Sequence, residues 1–328
     1  MLGYIVRRLF QAVIVIILVT LGITLLLHVL PGGPARAILG PRVNAVQIAQ
    51  FNHDNGLDQP IWVQYGTYLG QITGLGPVLG GHGWQGVNFG FSYRLNQSVG
   101  SILAQDVPKT MLLVGLSYAI AIIVAVPLGI YQAVRRNKID DYALTGASFF
   151  FYSMPVFWLG ILLIGVFSFT LHLLPAVGPQ GDNVGDLFTQ LPALILPVAT
   201  LALITIASFS RYMRSSTLEN MVQDYVRTAR AKGASDSRVL FAHVLRNAMI
   251  PILTLIGLSI GYIFSGALIT EALFNYPGMG LRFWNAGLQQ DYPVILGIIV
   301  IAAFGTVMGN LLADIMYAVA DPRVRYSR

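Results

Sequence analysis

Long apolar runs constrain this chain before anything else does. Six of them, at about 9–30, 110–133, 142–171, 191–213, 249–273 and 293–319, reach the roughly 20 mostly apolar residues that a membrane-crossing helix needs. In hydrocarbon every backbone polar group must find an internal partner, and a helix provides one for each. The reading is an all-α membrane protein with six transmembrane helices. Charged residues make up 10% of the 328, against about 25% in an ordinary soluble domain. The first run begins after MLGYIVRRLF and ends in LPGGP without an A-x-A cleavage pattern. It is longer than the roughly 7–15-residue core of a signal peptide, so a retained helix is expected.

Basic residues set the orientation. With the amino terminus inside, the inner side carries Arg7, Arg8, Arg135, Arg136, Lys138, Arg211, Arg214, Arg227, Arg230, Lys232, Arg238, Arg246, Arg323, Arg325 and Arg328. The outer side keeps Arg36, Arg42, Arg94, Lys109 and Arg282. Both termini are therefore expected in the cytoplasm. The long outer segment, 31–109, has a glycine-rich middle at 74–90 and two short amphipathic candidates, 43–51 and 60–72. The second places Trp62, Tyr65, Leu69 and Ile72 on one helical side, and both are read as packing on the membrane surface. Pro155, inside the third run, predicts a kink.

Several chemistries are excluded. There is no cysteine, hence no disulfide or thiolate chemistry. The basic residues are scattered over short loops without interleaved aromatics, a poor footprint for nucleic acid. The only lysines are Lys109, Lys138 and Lys232, and none sits in a phosphate-cradling G-x-x-x-x-G-K-[ST] loop. No His and carboxylate cluster has metal-ligand spacing. Proton-coupled carriers bury acids at mid-membrane depth, whereas Asp314, Glu271, His28 and His172 all fall towards span ends. If ATP drives this protein, another chain must hydrolyse it.

The unusual stretch is 218–251, LENMVQDYVRTARAKGASDSRVLFAHVLRNAMIP, a charged island between apolar runs. Leu218, Met221, Val222, Tyr225, Val226 and Ala229 recur on one helical face. Gly233 is placed to end that helix in the left-handed conformation. Ser235 or Ser237 can cap a second helix, along which Leu240, Val244 and Ala248 line up beside Phe241 and Leu245. Two readings fit the periodicity equally: a protruding helix that docks in a partner's groove, or an amphipathic loop lying on the bilayer.

DYVRTARAKGASDSRVLFAHVLRNAMIP resembles the conserved cytoplasmic EAA loop of ABC-importer permeases, in particular the B-type subunit of the dipeptide/oligopeptide/nickel branch. LPGGPARAILG, NGLDQPIWVQYGTYLG, NFGFSYRLNQSV, SMPVFWLG, ITEALFNYPGMG, QDYP and DPRVRY extend the likeness in order along nearly the whole chain. There are departures. Arg227, Thr228 and Ala229 stand where the general loop has Glu-Ala-Ala, and Arg246 stands where it has proline. Gly33 and Gln290 replace a usual aspartate and arginine, and 71–87 looks like an insertion.

The resemblance implies a type I ABC-importer permease fold in a bacterial or archaeal cytoplasmic membrane. Residues 1–107 would form the first helix and outer segment, and 108–328 the permease domain with its coupling loop at about 214–248. The implied partners are a second homologous permease subunit, two ATPase subunits and an extracytoplasmic substrate-binding protein, with ATP and Mg in the ATPases and no cofactor on this chain. Tyr225, Arg227, Thr228, Ala229, Arg230, Ala231, Lys232 and Gly233 would form the ATPase-coupling helix, supported by Arg246, Asn247 and Pro251. The cargo would be di- or oligopeptides, with nickel or oligosaccharides as alternatives, and a non-transporting membrane scaffold as the rival from another class. Polar residues within the spans, Ser153, Thr205, Ser208 and Asn310, are pathway candidates or helix–helix glue.

Overall fold

The structure, a computed structural model, describes residues 2–29, 33–40, 43–75, 86–265 and 267–320. The centre of the glycine-rich stretch, the carboxy-terminal DPRVRY and the side chain of Asp314 lie outside the described residues. The chain is helical almost throughout: α1 (Leu2–Val29), α2 (Gly33–Leu39), α3 (Ala45–Asp54), α4 (Ile61–Thr73), α5 (Val99–Val134), α6 (Ile139–Ser153), α7 (Val156–Leu163), α8 (Val184–Phe188) and α9 (Leu191–Met221). Then come α10 (Asp224–Ala231), α11 (Asp236–Ala248), α12 (Ile250–Ser265), α13 (Leu268–Leu273), α14 (Met279–Gln289) and α15 (Tyr292–Ala320). One hairpin, β1 (Phe91–Ser92) with β2 (Gln97–Ser98), leads into α5.

Three described helices, α5, α9 and α15, are long and apolar enough to cross a bilayer, and two bent pairs bring the number to five if each pair is one span. The expected third span is the more sharply broken, by 106° between α6 and α7. Met154, the residue before Pro155, is extended at φ −81° and ψ 129°, as the clash with a following proline ring demands. A π-helical turn, Ile164–Thr170, then closes α7. The expected run at 249–273 is likewise divided, into α12 and α13.

Glycines set the closest helix contacts. A Cβ on Gly129 of α5 would lie 2.5 Å from the Ser210 carbonyl oxygen of α9. On α12, Gly257 and Gly261 face Ala313 and Thr306 of α15, and a Cβ on Gly257 would come within 2.3 Å of the Ala313 Cα. Small residues four apart let membrane helices approach closely. Gly257→Leu should therefore push α12 off α15 at a cost of roughly 1–3 kcal/mol or more. Thermal unfolding of the purified protein checks this, with Gly115→Leu, where nothing lies within 4 Å, expected to leave the melting temperature in place.

Polar residues join the amino-terminal part. Thr20, Thr24 and His28 recur every four residues along α1. The Tyr65 hydroxyl of α4 donates to the Ile17 carbonyl at 2.7 Å and lies 3.0 Å from the Thr20 hydroxyl, while His28 Nε2 pairs with Gln64 Oε1 at 3.1 Å. The helix at 60–72 is thus tied to α1 by polar contacts. Only part of its expected apolar face is covered, since Ile72 is buried and Trp62 is 75% exposed.

At the end of the bundle where α5 begins, Glu271 is fully buried at the corner between α13 and α14. Its carboxyl accepts from the Thr110 hydroxyl (2.9 Å) and from the backbone N–H groups of Gly280 (2.7 Å), Leu281 (3.2 Å) and Ala267 (3.3 Å). Thr110 in turn accepts from the Met279 N–H, and the Tyr276 hydroxyl donates to the Lys109 carbonyl. Arg282 Nε reaches Asp106 Oδ2 at 2.7 Å, with Lys109 Nζ 3.9 Å from Asp106 Oδ1. The charges at this end are spent on packing α5 against α13 and α14.

Candidate functional site: a helical corner

The island at 218–251 folds as a helix, a glycine corner and a second helix. α9 stops at Met221, Val222 and Gln223 form the joint, and α10 starts at Asp224. The expected single face over 218–229 is therefore divided. Val226 and Ala229 are buried, but Val222 at the joint is exposed and Tyr225 turns outward, donating its hydroxyl hydrogen to Asn220 Oδ1 at 2.8 Å.

The corner is built by backbone. Gly233 has φ +81°, in the region that glycine occupies without a Cβ penalty. Its N–H bonds the Arg230 carbonyl at 2.9 Å, and the Ala234 N–H bonds the Ala229 carbonyl at 3.1 Å. This pair of bonds is the Schellman arrangement, and Ala234 packs on the apolar cluster beneath. Ser235, rather than Ser237, caps α11 by accepting from the Arg238 N–H. A π-helical turn, Val239–Val244, shifts the register of α11. Val239, Val244 and Ala248 consequently face inward, while Phe241 is exposed.

Beneath the corner, Val226, Ala229, Val239, Val244 and Ala248 meet Met213 of α9 and Ile252 of α12, with Val126 and Ile130 of α5 alongside. Each large apolar side chain buried there contributes roughly 1.5–3 kcal/mol. The corner is thus seated on three long helices and is no loose loop. Its outer surface shows Tyr225, Arg227, Thr228, Arg230, Ala231 and Lys232. Arg227 pairs with Asp224 and Arg230 with Asp236, both at 3.4 Å and well exposed, where such pairs are worth at most about 1 kcal/mol. These cations remain available to a partner. Arg246, Asn247 and Pro251 are also exposed.

The four pathway candidates do not converge. Ser153 ends α6 in an open apolar groove of about 400 Å³ with Phe150, Met154, Pro155 and Trp158. Thr205 bonds back to the Leu201 carbonyl within α9, Ser208 is half-buried on the same helix, and Asn310 is exposed on α15. Among the described residues, no hydrogen bond joins these four.

One pair escaped the sequence reading. Asp141, buried at the start of α6, receives two bonds of 2.8 Å from Arg214 Nε and Nη2 towards the carboxy-terminal end of α9. The Asn137 N–H and the Thr145 hydroxyl bond the same carboxylate. Seventy-three residues separate the partners, and no local pattern reveals them.

The chain's likeness to known proteins bears on a protein of this shape. Residues 125–326 match the family described as the inner membrane component of binding-protein-dependent transport systems. Residues 1–114 match that component's amino-terminal family. The chain belongs to this transport family. The oligopeptide transport system permease protein AppB of Bacillus subtilis is 37% identical over 99% of this chain and 100% of its own length. A putative peptide permease protein of Brucella ovis is 40% identical over 99% of both chains, and the dipeptide transport system permease protein DppB of Escherichia coli K12 is 33% identical over the full length of both. The resemblance to ABC-importer permeases is borne out. The protein is a membrane-embedded permease component of a binding-protein-dependent transport system and not an enzyme.

Proposed function

We propose that this permease forms one half of the pathway of an ATP-driven importer of di- or oligopeptides, in the cytoplasmic membrane of a bacterium or archaeon. It has six spans, both termini in the cytoplasm, and a domain division near residue 108. A second related permease completes the pathway, two ATPase subunits bind and hydrolyse ATP with Mg beneath it, and an extracytoplasmic protein delivers the peptide. The peptide permeases among its relatives support the cargo. α10 is the coupling helix, presenting Tyr225, Arg227, Thr228, Arg230, Ala231 and Lys232 to an ATPase groove, with Ala229 and Gly233 shaping it from below and behind.

The observation that carries this reading is the seated corner at Gly233. A short helix that must transmit a push needs a rigid base, and the apolar cluster provides one. Closure of the ATPase pair would then bias the permease between its two access states. Co-expression with the ATPase subunits tests it. The permease should retain them through purification, and Arg227→Glu with Arg230→Glu should release them. A wild-type chain that never holds an ATPase sinks the reading. Cysteines introduced in the glycine-rich outer segment of this cysteine-free chain should react with an impermeant label from outside only.

A further inference from the structure

From the α6–α9 contact we infer that Asp141 and Arg214 are a positioning pair for coupling, clamping α6 to α9 so that both follow the corner as one body. The inference rests on α10 being the coupling helix.

The contact is a ladder of polar layers. Innermost is the bidentate Asp141–Arg214 pair. Next, the Ser148 and Ser210 hydroxyls meet, both buried, 3.4 Å apart. The long Arg211 side chain reaches further along α6, its guanidinium 4.4 Å from the Phe149 ring centre and 4.6 Å from that of Tyr152. Pairing of 141 with 214 and of 148 with 210 runs antiparallel along both helices, so the two cannot slide without breaking several contacts together. A bidentate guanidinium–carboxylate pair fixes orientation as well as distance.

The ladder sits where force would enter. α9 continues to Met221, one joint away from α10, and Met213 and Met221 lie against the cluster beneath the corner. At its other end α6 stops at Ser153, and the 106° break at Met154–Pro155 separates it from α7. α7 packs separately, with Gly160 against Leu273 and Phe274 at the α13 corner and against Thr200 of α9.

The test uses the complete importer, reconstituted in liposomes with its ATPases and delivery protein, reading peptide uptake and ATP hydrolysis together. Asp141→Asn should lower uptake while hydrolysis continues, raising the ATP consumed per peptide by about fivefold or more, the lower range of measured coupling effects. The exchange Asp141→Arg with Arg214→Asp should restore most of the ratio. Uptake and hydrolysis falling in proportion would show a purely structural pair and overturn the inference.

Should these variants fail to assemble, Ser148→Cys with Ser210→Cys decides. If α6 and α9 move as one body, oxidising that pair to a disulfide leaves uptake unchanged; a block relieved by reductant overturns the clamp. Arg227→Glu with Arg230→Glu separates the two readings. Normal coupling there defeats the coupling-helix assignment, whereas loss there with normal coupling in the Asp141 variants defeats the clamp alone.

Discussion

Replacing Glu271 by alanine is expected to produce the largest loss of stability of any single change at the α13–α14 corner. The substitution strands the Gly280 and Leu281 N–H groups and the Thr110 hydroxyl, all of which now donate to this one buried carboxyl. A buried donor left without a partner costs about 1–3 kcal/mol, so the set amounts to several. Rearrangement offers little relief. A Cβ on Gly280 would lie 2.5 Å from the Leu268 Cα, so the backbone at the corner has no slack. The melting temperature in detergent should fall by several degrees. Glu271→Gln, which keeps one oxygen as acceptor, should fall less. An alanine variant that melts with the wild type would show that the corner does not depend on this carboxyl.

Gly233→Val is expected to have the largest effect on transport. Nothing lies within 4 Å of the Cβ that would be added, so the harm comes from the backbone. At φ +81° a side chain crowds its own carbonyl, at about 1–2 kcal/mol for an ordinary residue and more for a β-branched one. The chain would relax by giving up the bonds at Arg230 and Ala229, and α10 would lose its angle to α11. Uptake should drop roughly tenfold, the consequence of about 1.4 kcal/mol of misplacement, with membrane insertion unchanged. Gly233→Asn should be the mildest variant, since asparagine enters the left-handed region more readily, and alanine should fall between. Peptide uptake and ATPase retention measure the series; equal uptake in the valine and wild-type proteins would remove the corner from the coupling mechanism.

The helical class was written in local chemistry. Apolar runs of about 20 residues leave the backbone no choice but to bond within itself. Gly233 announced its corner because only backbone conformation is at stake there, and Pro155 announced its break for the same reason. The size of that break depends on what α6 and α7 pack against, which no window of sequence contains. Periodicity also misled at Val222 and Phe241, because the joint after Met221 and the π-helical turn at Val239–Val244 each shift the helical phase.

The sequence by itself determined that this chain is a bundle of membrane helices interrupted by one charged, amphipathic island with a glycine break, for these follow from residue type and short spacing. Only the tertiary structure decided how the ends are held. Glu271 with Thr110, Asp106 with Arg282 and Asp141 with Arg214 are paired across 161, 176 and 73 residues. Read singly, each is a charge near a span end. A buried charge persists only with a partner, and which partner it has is settled by the packing of distant helices.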